Sequence, residues 1–105
     1  MPHSAEAFLR RFGPAALVTG ASNGIGRAIA ALLASYGLDL VLVARNKTAL
    51  GEIAADLSAR HGIGVTIIPA DLAEPGAVDA VLGHPATERV GLLVAAAGFG
   101  SAGRF

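Results

Sequence analysis

The chain has 105 residues, of which 53% are apolar and 15% are charged, and its formal net charge at pH 7 is zero. This length indicates one domain, and the apolar fraction excludes intrinsic disorder, which needs low hydrophobicity and high net charge. The neutral charge balance argues against a nucleic acid as the main partner, and the absence of cysteine excludes a disulfide scaffold and a thiolate metal site.

The first segment, residues 1–14, is a lead-in that precedes the first predicted strand. Its apolar side chains Phe8, Leu9 and Phe12 are expected to pack against the body of the domain. Its arginines come late in the segment, which is the reverse of a signal peptide. No apolar run of the chain approaches the roughly 20 residues that span a bilayer, so we expect a cytoplasmic globular protein with no membrane partner.

From residue 15 onward, short apolar runs alternate with segments of helical periodicity. The predicted strands are Ala15–Thr19, Leu38–Ala44, Val65–Pro69 and Gly91–Ala96, and the predicted helices are Gly24–Tyr36, Lys47–His61 and a short helix that begins at Pro75. This β-α-β-α-β-α-β order predicts an α/β fold of the Rossmann type, a partial doubly wound parallel sheet with strand order 3-2-1-4. Residues 15–105 are expected to form this single domain.

Apolar spacing and end signals support the predicted helices. Apolar residues at helical spacing predict that the first helix is amphipathic; they are Ile25, Ala28, Ile29, Leu32 and Tyr36. Asn46 is the expected N-cap of the second helix, and Gly62 lies just past its end. Pro75 suits the first turn of the third helix, which the His84-Pro85 pair ends.

The turn between the first strand and the first helix reads Thr19-Gly20-Ala21-Ser22-Asn23-Gly24-Ile25-Gly26. A doubly wound fold binds a dinucleotide pyrophosphate at this turn, because free N–H groups and the helix dipole favour a phosphate there. Gly20 and Gly24 would allow backbone conformations and a close approach that a Cβ would block, and Gly26 would let the helix pack tightly on the sheet. The alternative is a glycine-rich turn that binds no ligand.

The residue after the second strand bears on the choice of dinucleotide. An NAD site generally has a carboxylate there to hold the ribose 2′-hydroxyl, but this chain has Arg45, followed by Asn46 and Lys47. Arginine binds a 2′-phosphate through charge-assisted, forked hydrogen bonds. We therefore predict NADP(H) rather than NAD(H). The alternative is that Arg45 and Lys47 are solvated charges at a helix start.

The glycine spacing resembles the Thr-Gly-x3-Gly-x-Gly motif of the short-chain dehydrogenase/reductase family, which this chain matches at Thr19, Gly20, Gly24 and Gly26. The pair Asp71-Leu72 after the third strand is similar to the family's Asp-Leu pair. The resemblance implies that this pair flanks the adenine ring, and a loop-capping role is the alternative for Asp71.

The segment Leu93–Gly98 is similar to the family's fourth-strand segment, which usually ends Asn-Asn-Ala-Gly. The resemblance implies that Ala96 and Gly98 line the cofactor, although alanines stand at 95 and 96 where the family usually has asparagines. The family's catalytic serine and Tyr-x3-Lys pair are not found in this chain, and its only tyrosine, Tyr36, is expected to pack at a helix end.

The resemblance implies the cofactor-binding portion of an oxidoreductase that transfers hydride between NADPH and a carbonyl or alcohol. A stand-alone nucleotide-binding or interaction module without catalysis is the alternative. We predict no catalytic residue, because the family's catalytic serine and Tyr-x3-Lys pair are not found in this chain. We also predict no metal-binding residue, since the three histidines lie far apart. The predicted cofactor-binding residues are Gly20, Ser22, Asn23, Gly24, Ile25, Gly26, Arg45, Asp71, Leu72, Ala96 and Gly98.

The predicted strand order leaves the fourth strand at an edge of the sheet. From Gly91 to Gly103 the chain has no charged residue and no proline, which are the usual protections of an edge strand against pairing with another chain. We therefore expect a homo-oligomer that forms through the fourth strand.

Overall fold

The structure, a computed structural model, describes residues 2–22 and 24–96. Its elements are α1 Pro2–Phe12, β1 Ala15–Thr19, α2 Gly24–Ser35, β2 Asp39–Ala44, α3 Lys47–His61, β3 Val65–Pro69, α4 Ala77–Leu82, a 3-10 helix Pro85–Arg89, and β4 Val90–Ala95. The four strands form one parallel sheet in the order β3-β2-β1-β4. This arrangement confirms the predicted doubly wound fold and its strand order.

The two faces of the sheet carry cores of different size. Side chains alternate between the faces along each strand, so Ala16 and Val18 of β1 point to one face and Leu17 points to the other. The first face, under α2 and α3, holds the larger core, which includes Leu33 and Leu50. The second core consists of Leu17, Val41, Val43 and Val81 of α4. The short α4 therefore covers its face only in part.

Helix α2 begins at Gly24, as predicted, but two of the apolar residues that supported the prediction lie outside its buried side. The buried residues of α2 are Gly26, Ala30, Leu33 and Ala34. Ile25 and Leu32, which supported the helix prediction, are 67% and 53% exposed. Gly26, Ala30 and Ala34 let the helix approach the sheet closely, and Leu33 fills the core beside them. Ile25 and Leu32 lie on the flank of the helix. The helix thus has a second apolar stripe that the described residues leave in solvent.

Helix α3 has the two ends that the sequence predicted. The Asn46 side chain accepts a hydrogen bond from the Ala49 N–H at 3.0 Å, as an N-cap does. Gly62 has a φ of 67°, in the left-handed region, and its N–H donates to the Ser58 carbonyl at 2.9 Å. Three buried side chains, Leu50, Ile53 and Leu57, hold α3 against the sheet.

The segment after β3 departs from the prediction at its helix start. Helix α4 begins at Ala77 after Gly76, which has a φ of 81°, so the prediction that Pro75 opens the helix was wrong. The Ala77 N–H donates to the Glu74 carbonyl at 3.1 Å, which places Pro75 inside a turn. The His84 side chain then accepts from the Ala86 N–H at 3.1 Å and caps the 3-10 helix, which the sequence analysis did not predict.

The amino ends of the strands are closed by α1 and by a carboxylate. The Phe8 ring lies 5.1 Å from the Tyr36 ring, and Phe8 and Leu9 pack against the larger core, as expected for the lead-in. The Asp39 carboxylate accepts from the Gly64 N–H at 2.9 Å, while its backbone N–H donates to the Pro14 carbonyl at 3.0 Å. The contacts of Asp39 thus join the starts of β1, β2 and β3 at one end of the sheet.

Candidate functional site

A cleft of about 690 Å³ opens at the carboxyl ends of β1, β2 and β3 and extends over the α4 face toward β4. Its walls are mainly apolar and include Leu17, Val43 and Leu93. Ligands of open α/β sheets bind at this edge, where the strand order changes direction. In this sheet the change falls at β1, between β2 and β4.

The glycine-rich turn is tied to the neighbouring strand. Gly20 has a φ of 67°, which a glycine adopts without strain. Its N–H donates to the Val43 carbonyl at 2.8 Å, and the Ala21 N–H reaches the same oxygen at 3.4 Å. These two amides are therefore occupied within the chain. The N–H groups expected to favour a phosphate are those at the start of the helix, and the amides of Gly20 and Ala21 are not among the free ones.

The backbone N–H groups that lack an acceptor belong to the residues that follow Ala21. Within residues 2–22 and 24–96, the amides of Ser22, Gly24 and Ile25 have no hydrogen-bond acceptor. Gly24 and Ile25 belong to the first turn of α2, whose N–H groups have no partner inside the helix. The positive end of the helix dipole lies at the same place. The arrangement can bind an anion of the size of a phosphate.

Gly26 and Gly24 differ in whether their surroundings would accept a Cβ. A Cβ on Gly26 would collide with the Gly20 carbonyl group, so α2 can begin this close to the turn only with glycine there. Among residues 2–22 and 24–96, a Cβ on Gly24 would meet no atom within 4 Å. Gly26 was predicted to let the helix pack tightly on the sheet, and the close contacts that the structure gives for it are with the turn, at Gly20 and Ala21. None of the described residues requires glycine at 24.

Arg45 and Asp71 stand at the rim of the cleft, together with Ser22. Arg45 is exposed and takes part in none of the ion pairs found among the described residues. The Asp71 carboxylate accepts from the Ala73 N–H at 2.9 Å, so the loop-capping alternative describes one of its contacts. Leu72 follows it along the wall of the cleft.

A buried threonine connects the turn with β4. Thr19 is 6% exposed, and its hydroxyl accepts from the Ala96 N–H at 3.2 Å and donates to the Val94 carbonyl at 3.5 Å. The ends of β1 and β4 are therefore joined at the cleft. The sequence analysis did not predict this role, because the partners lie 75 and 77 residues away in the chain.

The predicted cofactor residues fall into three groups. Gly20, Ser22, Arg45, Asp71 and Leu72 line the cleft. Gly24, Ile25, Gly26 and Ala96 are described but do not line it. Asn23 and Gly98 lie outside the described residues.

Residues 2–22 and 24–96 contain no cluster of three side chains that could hold a metal ion. None of their helices has the length and hydropathy needed to cross a membrane.

Comparisons with known proteins agree on one family. The family model described as short chain dehydrogenase matches residues 14–105. The chain is 40% identical over 87 residues to a very-long-chain 3-oxoacyl-CoA reductase-like protein of Arabidopsis thaliana, a match that covers 82% of this chain and 28% of that protein.

Solved structures show the same relationship. A 7beta-hydroxysteroid dehydrogenase superimposes with a TM-score of 0.74 at 28% identity, over 81% of this chain and 32% of that one. A short-chain dehydrogenase from Sphingobium yanoikuyae in complex with NADPH superimposes with a TM-score of 0.70 at 41% identity, over 77% of this chain and 32% of that one. The chain thus spans about a third of the length of these relatives.

Proposed function

The chain belongs to the short chain dehydrogenase family, and from that premise we propose that it is the NADP(H)-binding part of an oxidoreductase. The complete enzyme would transfer hydride between the cofactor and a carbonyl or alcohol. The proposal is carried by the carboxyl edge of the sheet, where Ser22, whose amide is free, and Arg45 line one cleft. Helix α2, with two further free amides, begins beside Ser22. The related structure from Sphingobium yanoikuyae, which contains NADPH, supports the choice of ligand.

The pyrophosphate would bind at the start of α2. The amides of Ser22, Gly24 and Ile25 are the donors that the described residues leave without an acceptor. The open space beside Gly24 leaves room for a phosphate oxygen at the backbone. Twelve residues of helix stand behind these amides, and their dipole favours the negative charge.

The adenosine end would lie between the ends of β2 and β3. Leu72 and the loop that Asp71 caps form the wall on the β3 side of the cleft. Arg45 stands on the β2 side, where Asn46 caps α3 and so fixes the backbone beside it. A 2′-phosphate on the ribose would find there a guanidinium that forms no ion pair with a described residue, and no carboxylate within residues 44–50.

The bound dinucleotide would supply the hydride. The described part of the chain binds and orients it, and we assign no proton donor there. The phenol ring of Tyr36 packs beside Phe8 at the amino ends of the strands, at the opposite end of the sheet from the cleft. The relatives reported above are reductases and dehydrogenases, which favours this function over a binding module without catalysis.

Calorimetric titration with NADPH and NADH tests the proposal. The substitution Arg45→Ala removes a charge-assisted hydrogen bond worth roughly 1.5–3 kcal/mol, so the affinity for NADPH should fall by roughly 10- to 150-fold. The affinity for NADH should change little, because NADH has no 2′-phosphate.

The matched control is Arg60→Ala, which removes the same charge from the last turn of α3. Arg60 pairs there with Asp56 at 3.0 Å, far from the cleft. Equal losses for NADPH and NADH with Arg45→Ala, or an equal loss of NADPH affinity with Arg60→Ala, would contradict the role of Arg45. Failure of the unaltered chain to bind either dinucleotide would contradict the proposed function itself.

A further inference from the structure

The junction between β2 and α3 carries a cation on either side of the helix cap. Arg45 and Lys47 flank Asn46, and all three residues are exposed. Neither cation forms an ion pair with any residue that the structure describes. Lys47 also has no carboxylate at helical spacing, because Leu50 and Gly51 stand three and four residues further on. The described part of the chain thus leaves both charges unbalanced.

The backbone of the cap brings the two cationic side chains to the same side of the junction. Asn46 has an extended conformation, with a φ of −85° and a ψ of 96°. In extended backbone the residues before and after a given residue share one side, roughly 6–7 Å apart. The Asn46 side chain is directed to α3 instead, where it accepts from the Ala49 N–H at 3.0 Å. Arg45 and Lys47 can therefore both reach one anionic group.

The first turn of α3 is an unfavourable place for a lysine. The positive end of the helix dipole lies there, and it favours acidic side chains over cations. This first turn has no acidic residue, whereas the last turn has Arg60 and His61, where basic side chains are favoured. Sequences depart from such local preferences mainly at functional or strained sites. Lys47 is therefore better explained by a ligand than by the stability of its helix.

We propose that Lys47 is a second specificity-determining residue for NADP(H), and that its ammonium group binds the ribose 2′-phosphate together with the guanidinium of Arg45; this inference rests on the proposed function. Arg45 lines the cleft and Lys47 does not, so Lys47 is placed for a group that extends beyond the cleft wall. A phosphate group has three strong acceptor oxygens and can bind both cations at once. NADH, which has a hydroxyl group at this position, gains no charge pairing from Lys47.

Calorimetric titration with NADPH and NADH tests the proposal, with the ratio of the two dissociation constants as the readout. Exposed ion pairs change an affinity by up to about fivefold. Lys47→Ala should therefore lower the affinity for NADPH roughly two- to fivefold and leave that for NADH unchanged, whereas Lys47→Arg should keep the ratio. The matched control is Arg27→Ala, because Arg27 is an exposed cation of α2 that forms no ion pair with a described residue. It should leave the ratio unchanged.

Lys47→Glu separates binding from a general effect on folding. A glutamate at the start of α3 suits the helix dipole, so the urea midpoint of unfolding should rise. The same carboxylate repels the 2′-phosphate, so the affinity for NADPH should fall further than in Lys47→Ala. A fall in both the urea midpoint and the affinity for NADH would show that Lys47 supports the fold, and would overturn the proposal.

Two nucleotides without the nicotinamide half isolate the 2′-phosphate. Lys47→Ala should weaken the binding of adenosine 2′,5′-bisphosphate and leave that of adenosine 5′-monophosphate unchanged. An equal loss for the two nucleotides, an unchanged NADPH to NADH ratio in Lys47→Ala, or an equal change of that ratio in Arg27→Ala would overturn the proposal. Each of these results leaves the proposed function standing, because the unaltered chain still binds NADPH. Failure of the unaltered chain to bind either dinucleotide would contradict the proposed function, and the role of Lys47 with it.

Discussion

The two ends of the sheet differ in whether their backbone N–H groups have an acceptor within the described part of the chain. At the amino ends of the strands, the Asp39 carboxylate satisfies the Gly64 N–H, and the backbone of Asp39 binds Pro14. At the carboxyl ends, the amides of Ser22 and Ile25 have no acceptor in the described part of the chain. Buried backbone polar groups of a folded protein are normally paired, whereas an exposed amide such as that of Ile25 can bind water or a ligand. One end of the sheet is thus completed by the chain itself, and at the other end the described residues leave donors that we propose bind the cofactor.

The largest effect on the free energy of unfolding is expected at the carboxyl end of the sheet. There, the same turn contributes to stability and to the proposed binding of the cofactor. Gly26→Ala places a methyl group against the Gly20 carbonyl group, so α2 or the turn must move. Overpacking of this kind costs about 1–3 kcal/mol, and the displaced amides should also bind NADPH more weakly. Urea denaturation and cofactor titration measure the two effects.

Gly24→Ala is the matched control, because its methyl group would enter open space. Alanine inside a helix is favoured over glycine by roughly 0.5–1 kcal/mol, so the free energy of unfolding should stay constant or rise. If Gly24→Ala destabilised the chain as much as Gly26→Ala does, the close packing of the turn would not be the cause.

A smaller effect is expected at the amino end, and it should leave binding unaltered. Asp39→Ala removes the acceptor of the Gly64 N–H and should lower the free energy of unfolding by about 1 kcal/mol. Asp39→Asn keeps an acceptor oxygen and loses only the ion pair with Arg89, whose atoms are 3.8 Å apart on exposed side chains. Such pairs contribute little, so this variant should be close to the unaltered chain.

Thermal or urea unfolding measures the free energy of unfolding of Asp39→Ala and Asp39→Asn, and a titration with NADPH measures their affinity for the cofactor. Equal destabilisation by Asp39→Ala and Asp39→Asn would assign the effect to the ion pair. A loss of NADPH affinity in either variant would show that the two ends are not independent.

Local signals explain which features of the fold could be predicted from the sequence. The ends of α3 depend on Asn46 and Gly62, which act on backbone groups within four residues. The buried side of α2 could not be predicted in the same way, since apolar residues occur on two of its sides, and Leu33 is buried whereas Leu32 beside it is exposed. Pro75 suits a helix start, but Gly76, with its φ of 81°, precedes the helix instead.

In the candidate site, too, some features follow from the local sequence and the fold class, and others depend on contacts between distant segments. Gly20 and Arg45 follow strands whose carboxyl ends meet at one edge, so the fold class was enough to bring them to the cleft. The occupation of the Gly20 and Ala21 amides by Val43 depends on how β2 lies beside the turn. The link from Thr19 to Ala96 likewise forms only once β4 pairs with β1. Contacts between distant segments decide these details.

Amide hydrogen exchange with and without saturating NADPH tests the central claim most directly. The amides of Gly20 and Ala21 already bind Val43, so they should exchange slowly in both samples. The amides of Ser22, Gly24 and Ile25 should exchange fast in the free protein and become protected when NADPH binds, while those of Asp39 and Gly64 stay as they were. Unchanged exchange at Ser22, Gly24 and Ile25 under saturating NADPH, or new protection confined to the amino end, would contradict the account.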